Sequence, residues 1–142
     1  MGEHGDSEFV PVSQVMLATK QVSEILEDEG NEYSMNDMKS IEEQVRTAAY
    51  KIIEAKRATY YGIGMAITRI VKAILGDENS VLTVSAKLCG EYDSRGVFIG
   101  VPCIIGRNGV KEILELSLTE DEMQKFKDSA AILDENFAGL KL

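Results

Sequence analysis

Residues 80–116 read SVLTVSAKLCGEYDSRGVFIGVPCIIGRNGVKEILEL. Ser80 to Leu88 and Gly96 to Ile105 are strand-length runs rich in Val, Ile, Leu, Thr and Phe, and the polar stretch Gly90 to Arg95 between them has the composition of a hairpin loop. Asn108-Gly109 then predicts a tight turn, because both residues tolerate the positive φ that such turns need, and Val110 to Leu116 follows as a third strand. Strands linked in this way form an antiparallel meander, not the parallel sheet of an alternating βαβ array.

Downstream of the meander, Thr119-Glu120-Asp121-Glu122 has the spacing of a capping box, and Met123, Phe126, Ala130, Leu133 and Phe137 lay an apolar stripe along a closing helix. Upstream, Ser34 with Asp37, or Ser40 with Glu43, opens a helix near Asn36. Its apolar positions Met38, Ile41, Val45, Ala48, Ala49, Ile52 and Ile53 recur at three and four, which predicts one buried face. A second set, Ile63, Ala66, Ile67, Ile70, Val71 and Ile74, runs to a stop at Gly76. One straight helix over both sets would be about 60 Å long, too long for a lone domain of this size. A bend is therefore expected between Arg57 and Gly64, where aromatic, β-branched and glycine residues lower helix propensity together. Pro11 breaks any earlier helix, Phe9 to Leu26 has a mixed pattern, and Glu27-Asp28-Glu29-Gly30 reads as a solvated loop. The expected fold is α+β: a long bent helix pair, a three-stranded antiparallel meander and a C-terminal helix.

The 142 residues suit one domain spanning 1–142, and 44% hydrophobic with 27% charged residues is an ordinary globular balance. A net charge of −9 argues against nucleic acid or an anionic membrane as a partner held by bulk charge. No apolar run reaches the length of a bilayer span, and the first residues lack the basic and apolar regions of a signal peptide. Cys89 and Cys103 have no CxxC spacing and sit in strand-like sequence, so both are read as small buried hydrophobes in a reducing compartment, the cytoplasm.

His4 is the only histidine, within Gly2-Glu3-His4-Gly5-Asp6-Ser7. Imidazole can both give and take a proton near neutrality, and the flanking glycines leave the backbone free to approach a ligand. By composition alone, though, such a stretch reads as a frayed terminus. Glu3, His4 and Asp6 follow no recurring metal-ligand spacing, so no metal is expected. Gly62-Ile63-Gly64 has Ile67 where a third glycine would stand and follows a helix instead of a strand, so it reads as tight helix packing and not as a dinucleotide loop. Tyr60-Tyr61 reads as core or interface.

Residues 1–9, Met-Gly-Glu-His-Gly-Asp-Ser-Glu-Phe, resemble the segment carrying the catalytic histidine of bacterial-type L-lactate dehydrogenases, members of the lactate/malate dehydrogenase family. Residues 49–64, from Ala49 through Thr59 and Ile63 to Gly64, resemble that family's substrate-pocket helix, and Ser80-Val81-Leu82 and Gly100-Val101-Pro102 resemble its strands, so the likeness spans the whole chain. It implies the C-terminal, catalytic and substrate domain of that fold. It further implies an NAD-dependent oxidoreductase of glycolysis and pyruvate fermentation, with pyruvate and L-lactate as substrates and a homotetramer as assembly. By the same resemblance His4 is the acid–base, Thr59 lines the pocket beside the substrate methyl, and Ile63 touches the nicotinamide. Tyr50 matches a position with a reported phosphotyrosine, although a packed helix tyrosine is the preferred reading. Glu3 and Asp6 set the segment apart from malate and hydroxyisocaproate dehydrogenases respectively.

There are departures. Val12 stands where Trp is common, and Arg57, two residues from Thr59, stands where Gly is usual and is expected to crowd the pocket. The family's orienting aspartate, carboxylate-gripping arginine and loop arginine have no matching position, nor has its dinucleotide-binding domain. The resemblance therefore implies that the 142 residues alone have negligible activity and expose apolar surface that favours self-association. Two other readings stand beside it: a non-catalytic remnant that joins full-length subunits, and part of a malate or other 2-hydroxy acid dehydrogenase.

Overall fold

The computed structural model describes residues 1–27 and 34–140. After a 3₁₀ turn at Val12–Gln14 come the two-residue strands β1 (Met16–Leu17) and β2 (Lys20–Gln21), the short helix α1 (Val22–Leu26), α2 (Met35–Lys56) and α3 (Tyr61–Gly76). The second half holds β3 (Ser80–Cys89), β4 (Arg95–Gly106), β5 (Gly109–Ile113) and α4 (Glu120–Ala138). Strands β3, β4 and β5 form one antiparallel sheet in sequence order, as the residue pattern predicts.

Strand β4 has the centre of that sheet and the centre of the core. Its odd-numbered residues Val97, Ile99, Val101, Cys103 and Ile105 are all buried, the period of two expected where alternate side chains leave opposite faces. Phe126 and Ala130 of α4 and Ala73 of α3 close over this face, with the Phe126 ring 4.7 Å from that of Tyr92. Tyr92 belongs to the stretch read as a plain hairpin loop, yet it is buried, in a left-handed conformation with φ 53. Its hydroxyl donates to the Leu114 carbonyl at 2.6 Å and accepts from the Leu116 N–H at 3.0 Å. Leu114 still donates to the Pro102 carbonyl at 2.9 Å, but Pro102 has no N–H to return, and β5 ends at Ile113, short of the predicted Leu116.

Helix α2 begins where predicted. The Asp37 carboxylate accepts from both the N–H and the hydroxyl of Ser34, each at 2.7 Å. At the start of α4, the Thr119 hydroxyl accepts from the Glu122 N–H while the Glu122 carboxylate accepts from the Thr119 N–H. Glu122 also receives the N–H and the hydroxyl of Ser13, which pins the 3₁₀ turn to the start of α4. Burial alone pushes the Glu122 carboxyl up, but these hydrogen bonds outweigh it and hold the group below the usual carboxylate range.

The helix pair breaks within the expected stretch, at Arg57, whose φ of 68 ends α2 in the left-handed conformation. Three expectations need correction. Gly62 and Gly64 lie inside α3 with open space where a Cβ would be, so they serve no tight packing among the described residues. The predicted buried face of α2 is not buried: Ile41, Val45, Ile52 and Ile53 are exposed, and none of the helix's residues is buried among the described residues. Cys103 is buried as expected, whereas Cys89, at the end of β3 where pairing becomes irregular, is exposed, and both thiols are free. Of the acidic run, Glu27 is exposed, and Asp28, Glu29 and Gly30 lie outside the described residues.

Candidate active site

The first nine residues form a closed turn, not a frayed end. The Met1 ammonium donates to the Phe9 carbonyl at 2.7 Å, the Phe9 N–H returns to the Met1 carbonyl at 3.1 Å, and the Glu8 N–H reaches the Gly5 carbonyl at 3.1 Å. Phe9 itself is buried in the core. Gly2 and Gly100 exchange both backbone hydrogen bonds, each 2.9 Å long, which ties the turn to the middle of β4. Both glycines are required. Gly2 has φ +101, and a Cβ there would lie 2.8 Å from the Ser129 Oγ; a Cβ on Gly100 would lie 2.7 Å from the Gly2 carbonyl oxygen.

His4 stands on this anchored turn with its side chain fully exposed. Its Nδ1 is 3.6 Å from a Glu8 carboxylate oxygen, an ion-pair contact when the imidazole is charged and too long for a hydrogen bond. Asp6 faces α2, where the Tyr50 hydroxyl donates to it at 2.7 Å. That hydrogen bond holds the Tyr50 phenol above its ordinary range, with the charge of Asp6 acting in the same direction. Tyr50 is thus an exposed tether between helix and turn, and not the packed residue read from sequence.

Thr59 lies in the link between α2 and α3, and Ile63 on the first turn of α3; both are exposed. Among the described residues no hydrogen bond joins either to the His4 turn, and the Tyr50–Asp6 bond is the polar link between the two candidate segments. Among the described residues no three His, Cys, Asp or Glu side chains converge on a common point. Sequence reasoning passed over Ser129, a fully buried serine of α4 that touches the His4 turn. Its signal was available: it sits three residues after Phe126 and beside Ala130, a hydroxyl on the apolar face of an amphipathic helix.

A solvent-facing imidazole is thus carried on a turn that is clamped to an α+β domain. The chain belongs to the family of the lactate/malate dehydrogenase alpha/beta C-terminal domain, which it matches over residues 1–141. It is 51% identical to L-lactate dehydrogenase 1 of Bacillus cereus (strain ATCC 10987 / NRS 248) over 138 residues, covering 97% of this chain and 44% of that protein. L-lactate dehydrogenase 2 of Bacillus cereus (strain ATCC 14579) is 49% identical with the same coverage. Among solved structures, the ligand-bound minor L-lactate dehydrogenase from Enterococcus mundtii superposes with a TM-score of 0.93 at 45% identity, covering 99% of this chain and 45% of that one. The chain thus spans less than half the length of the relatives it matches. Among the described residues no helix is long and apolar enough to cross a membrane.

Proposed function

We propose that these residues are the substrate half of an NAD-dependent L-lactate dehydrogenase that interconverts pyruvate and L-lactate. His4 is the acid–base, Thr59 lines the pocket beside the substrate methyl, and Ile63 lies against the nicotinamide. The observation that supports this most is the His4 turn: a chain with a single histidine leaves it exposed while locking the backbone on either side. In the forward direction the imidazolium gives its proton to the carbonyl oxygen of pyruvate as negative charge develops there, and in reverse the neutral imidazole takes the proton from the lactate hydroxyl. NADH, when bound, supplies the hydride.

The residues present fit only one end of that cofactor. Ile63, 56% exposed at the start of α3, offers an apolar surface to a nicotinamide ring, whereas Gly62-Ile63-Gly64 follows a link and not a strand and lacks the geometry of a phosphate loop. The reading therefore assigns the phosphates to a further, dinucleotide-binding domain. The bare apolar faces of α2 and α3, including Val45, Ile53, Ile67 and Val71, support assembly into a homo-oligomer, a tetramer as in the family. The cytoplasm, as a reducing compartment, suits the two free thiols.

The test joins the chain to the dinucleotide-binding part of a Bacillus cereus L-lactate dehydrogenase and follows pyruvate-dependent oxidation of NADH. The joined protein is expected to turn over, the 142 residues alone to show negligible rate, and His4→Asn to lower the joined rate by about 10²–10⁴-fold. A His4→Asn rate equal to the unaltered one overturns the assignment, and a preference for oxaloacetate moves it to a malate dehydrogenase. A joined protein without turnover that still assembles with full-length subunits identifies a non-catalytic remnant.

A further inference from the structure

We propose that Ser129 is a positioning residue for His4, acting through a closed ring of hydrogen bonds that begins and ends on Glu3. The Glu3 N–H donates to the Ser129 Oγ at 2.6 Å, the Ser7 hydroxyl donates to the Glu3 carboxylate at 2.6 Å, and the two serine Oγ atoms are 2.9 Å apart. A hydroxyl has one hydrogen, and an ionised carboxylate only accepts. The Ser7 hydrogen is committed to Glu3, so between the serines Ser129 is the donor. The direction is then fixed around the whole ring, from Glu3 N–H to Ser129, from Ser129 to Ser7, and from Ser7 back to the Glu3 carboxylate. Each hydroxyl donates once and accepts once, the arrangement in which neighbouring bonds polarise one another.

The ring explains what holds the imidazole. The His4 side chain is fully exposed and its charged partner Glu8 is beyond hydrogen-bond range, so among the described residues no hydrogen bond holds the ring itself. Its position is inherited from the backbone before it, where Gly2 is paired with Gly100 and Glu3 is held at both its amide and its carboxylate. Ser129 supplies the fixed end of this clamp, because its side chain is completely buried and belongs to the helix that closes the core. A mid-helix serine would ordinarily turn its hydroxyl to the carbonyl four residues earlier; this one turns it outward to the chain's first residues. Gly2 makes that approach possible, since a side chain there would occupy the place of the Ser129 hydroxyl.

The proposal rests on His4 being the reacting group, and it is tested without turnover on the 142-residue chain, whose single histidine gives one imidazole signal by NMR. In Ser129→Ala, which keeps the Cβ and removes two links of the ring, the His4 backbone order parameter is expected to fall from about 0.85 to below about 0.6. Exchange of the Glu3 amide hydrogen is expected to speed up about tenfold or more. Ser7→Ala and Glu3→Ala, which are not fully buried sites and keep the fold if Ser129→Ala does not, should also loosen His4, whereas Glu3→Gln keeps an oxygen acceptor for Ser7 and should leave it rigid. A serine needed only for packing would lower Tm and leave the His4 order parameter unchanged; that result in Ser129→Ala, or in both Ser7→Ala and Glu3→Ala, overturns the proposal. Loss of rigidity in a joined protein that never oxidises NADH would sink the dehydrogenase reading and keep the clamp, while unchanged rigidity in an active one would sink the clamp alone.

Discussion

Helices α2 and α4 carry the same kind of apolar stripe and end up in opposite circumstances. Phe126 and Ala130 of α4 are buried against β4, and the helix is part of the core. Ile41, Val45, Ile52 and Ile53 of α2 follow the same three-and-four spacing and face outward, as do Ile63 and Ile67 of α3. A period of 3.6 states that a helix has a side to hide. It does not state what hides it, and a helix of 22 residues can be well formed while contributing no buried residue to the chain's own core. The stripe of α4 is packed into the core, whereas that of α2 stays uncovered among the described residues.

The contrast can be broken by substitution. Phe126→Ala removes a fully buried ring and is expected to cost about 3–5 kcal/mol in urea unfolding. A loss below 1 kcal/mol would mean that the sheet and α4 are not the stabilising half. Glu122→Gln weakens the cap of α4 and its hold on Ser13, with an expected loss of about 0.5–2 kcal/mol. The pH dependence has a definite sign: the carboxyl is held below its ordinary value of 4.5, so its contribution is complete above that pH and is lost as the pH falls through the lower, folded value. In Glu122→Gln the acid limb of the stability curve should flatten, and an unaltered limb would locate the pH dependence elsewhere.

Arg57→Gly relieves a left-handed residue at the end of α2 and should raise stability by about 1 kcal/mol, measured as an increase in Tm. Ile53→Ser, on the uncovered face, should move stability by less than about 0.5 kcal/mol in dilute protein while weakening concentration-dependent association in sedimentation. The smallest change is optical: Asp6→Asn should bring the Tyr50 phenol titration back down, because the hydrogen bond to Asp6 is the main cause holding it up. An unchanged titration would mean that α2 is not tethered to the turn in solution.

Much of the second half could be read from residues because its determinants are local. The strand-length apolar runs of β3 and β4, the Asn108-Gly109 turn and the Thr119–Glu122 box each act within a few residues, and each is found where the pattern puts it. The end of β5 was not legible, because it depends on the register that brings Leu114 to Pro102, which has no N–H to return. The break between α2 and α3 was legible as a region, but the residue that turns is Arg57, a type that ordinarily avoids φ 68. The resemblance to a dehydrogenase domain reaches Arg57 by a second route: the glycine usual at that position would adopt this conformation without strain. As for the candidate site, the sequence singles out His4 by its residue type but does not show what holds it. What keeps it from fraying is Gly100 and Ser129, whose roles depend on contacts that no local pattern encodes.

The bond from Glu3 to Ser129 spans 126 positions of the chain. Contacts of such long separation close only after the intervening segments have found each other, since the entropy of a large loop must be overcome before the contact can form. The turn that carries the imidazole can therefore dock only on a finished sheet with its last helix in place. A chain caught partway through folding, or one that has let α4 come loose, has a histidine but no oriented one. Orientation of the His4 turn is thus a late event, and it reports that everything beneath it has already assembled.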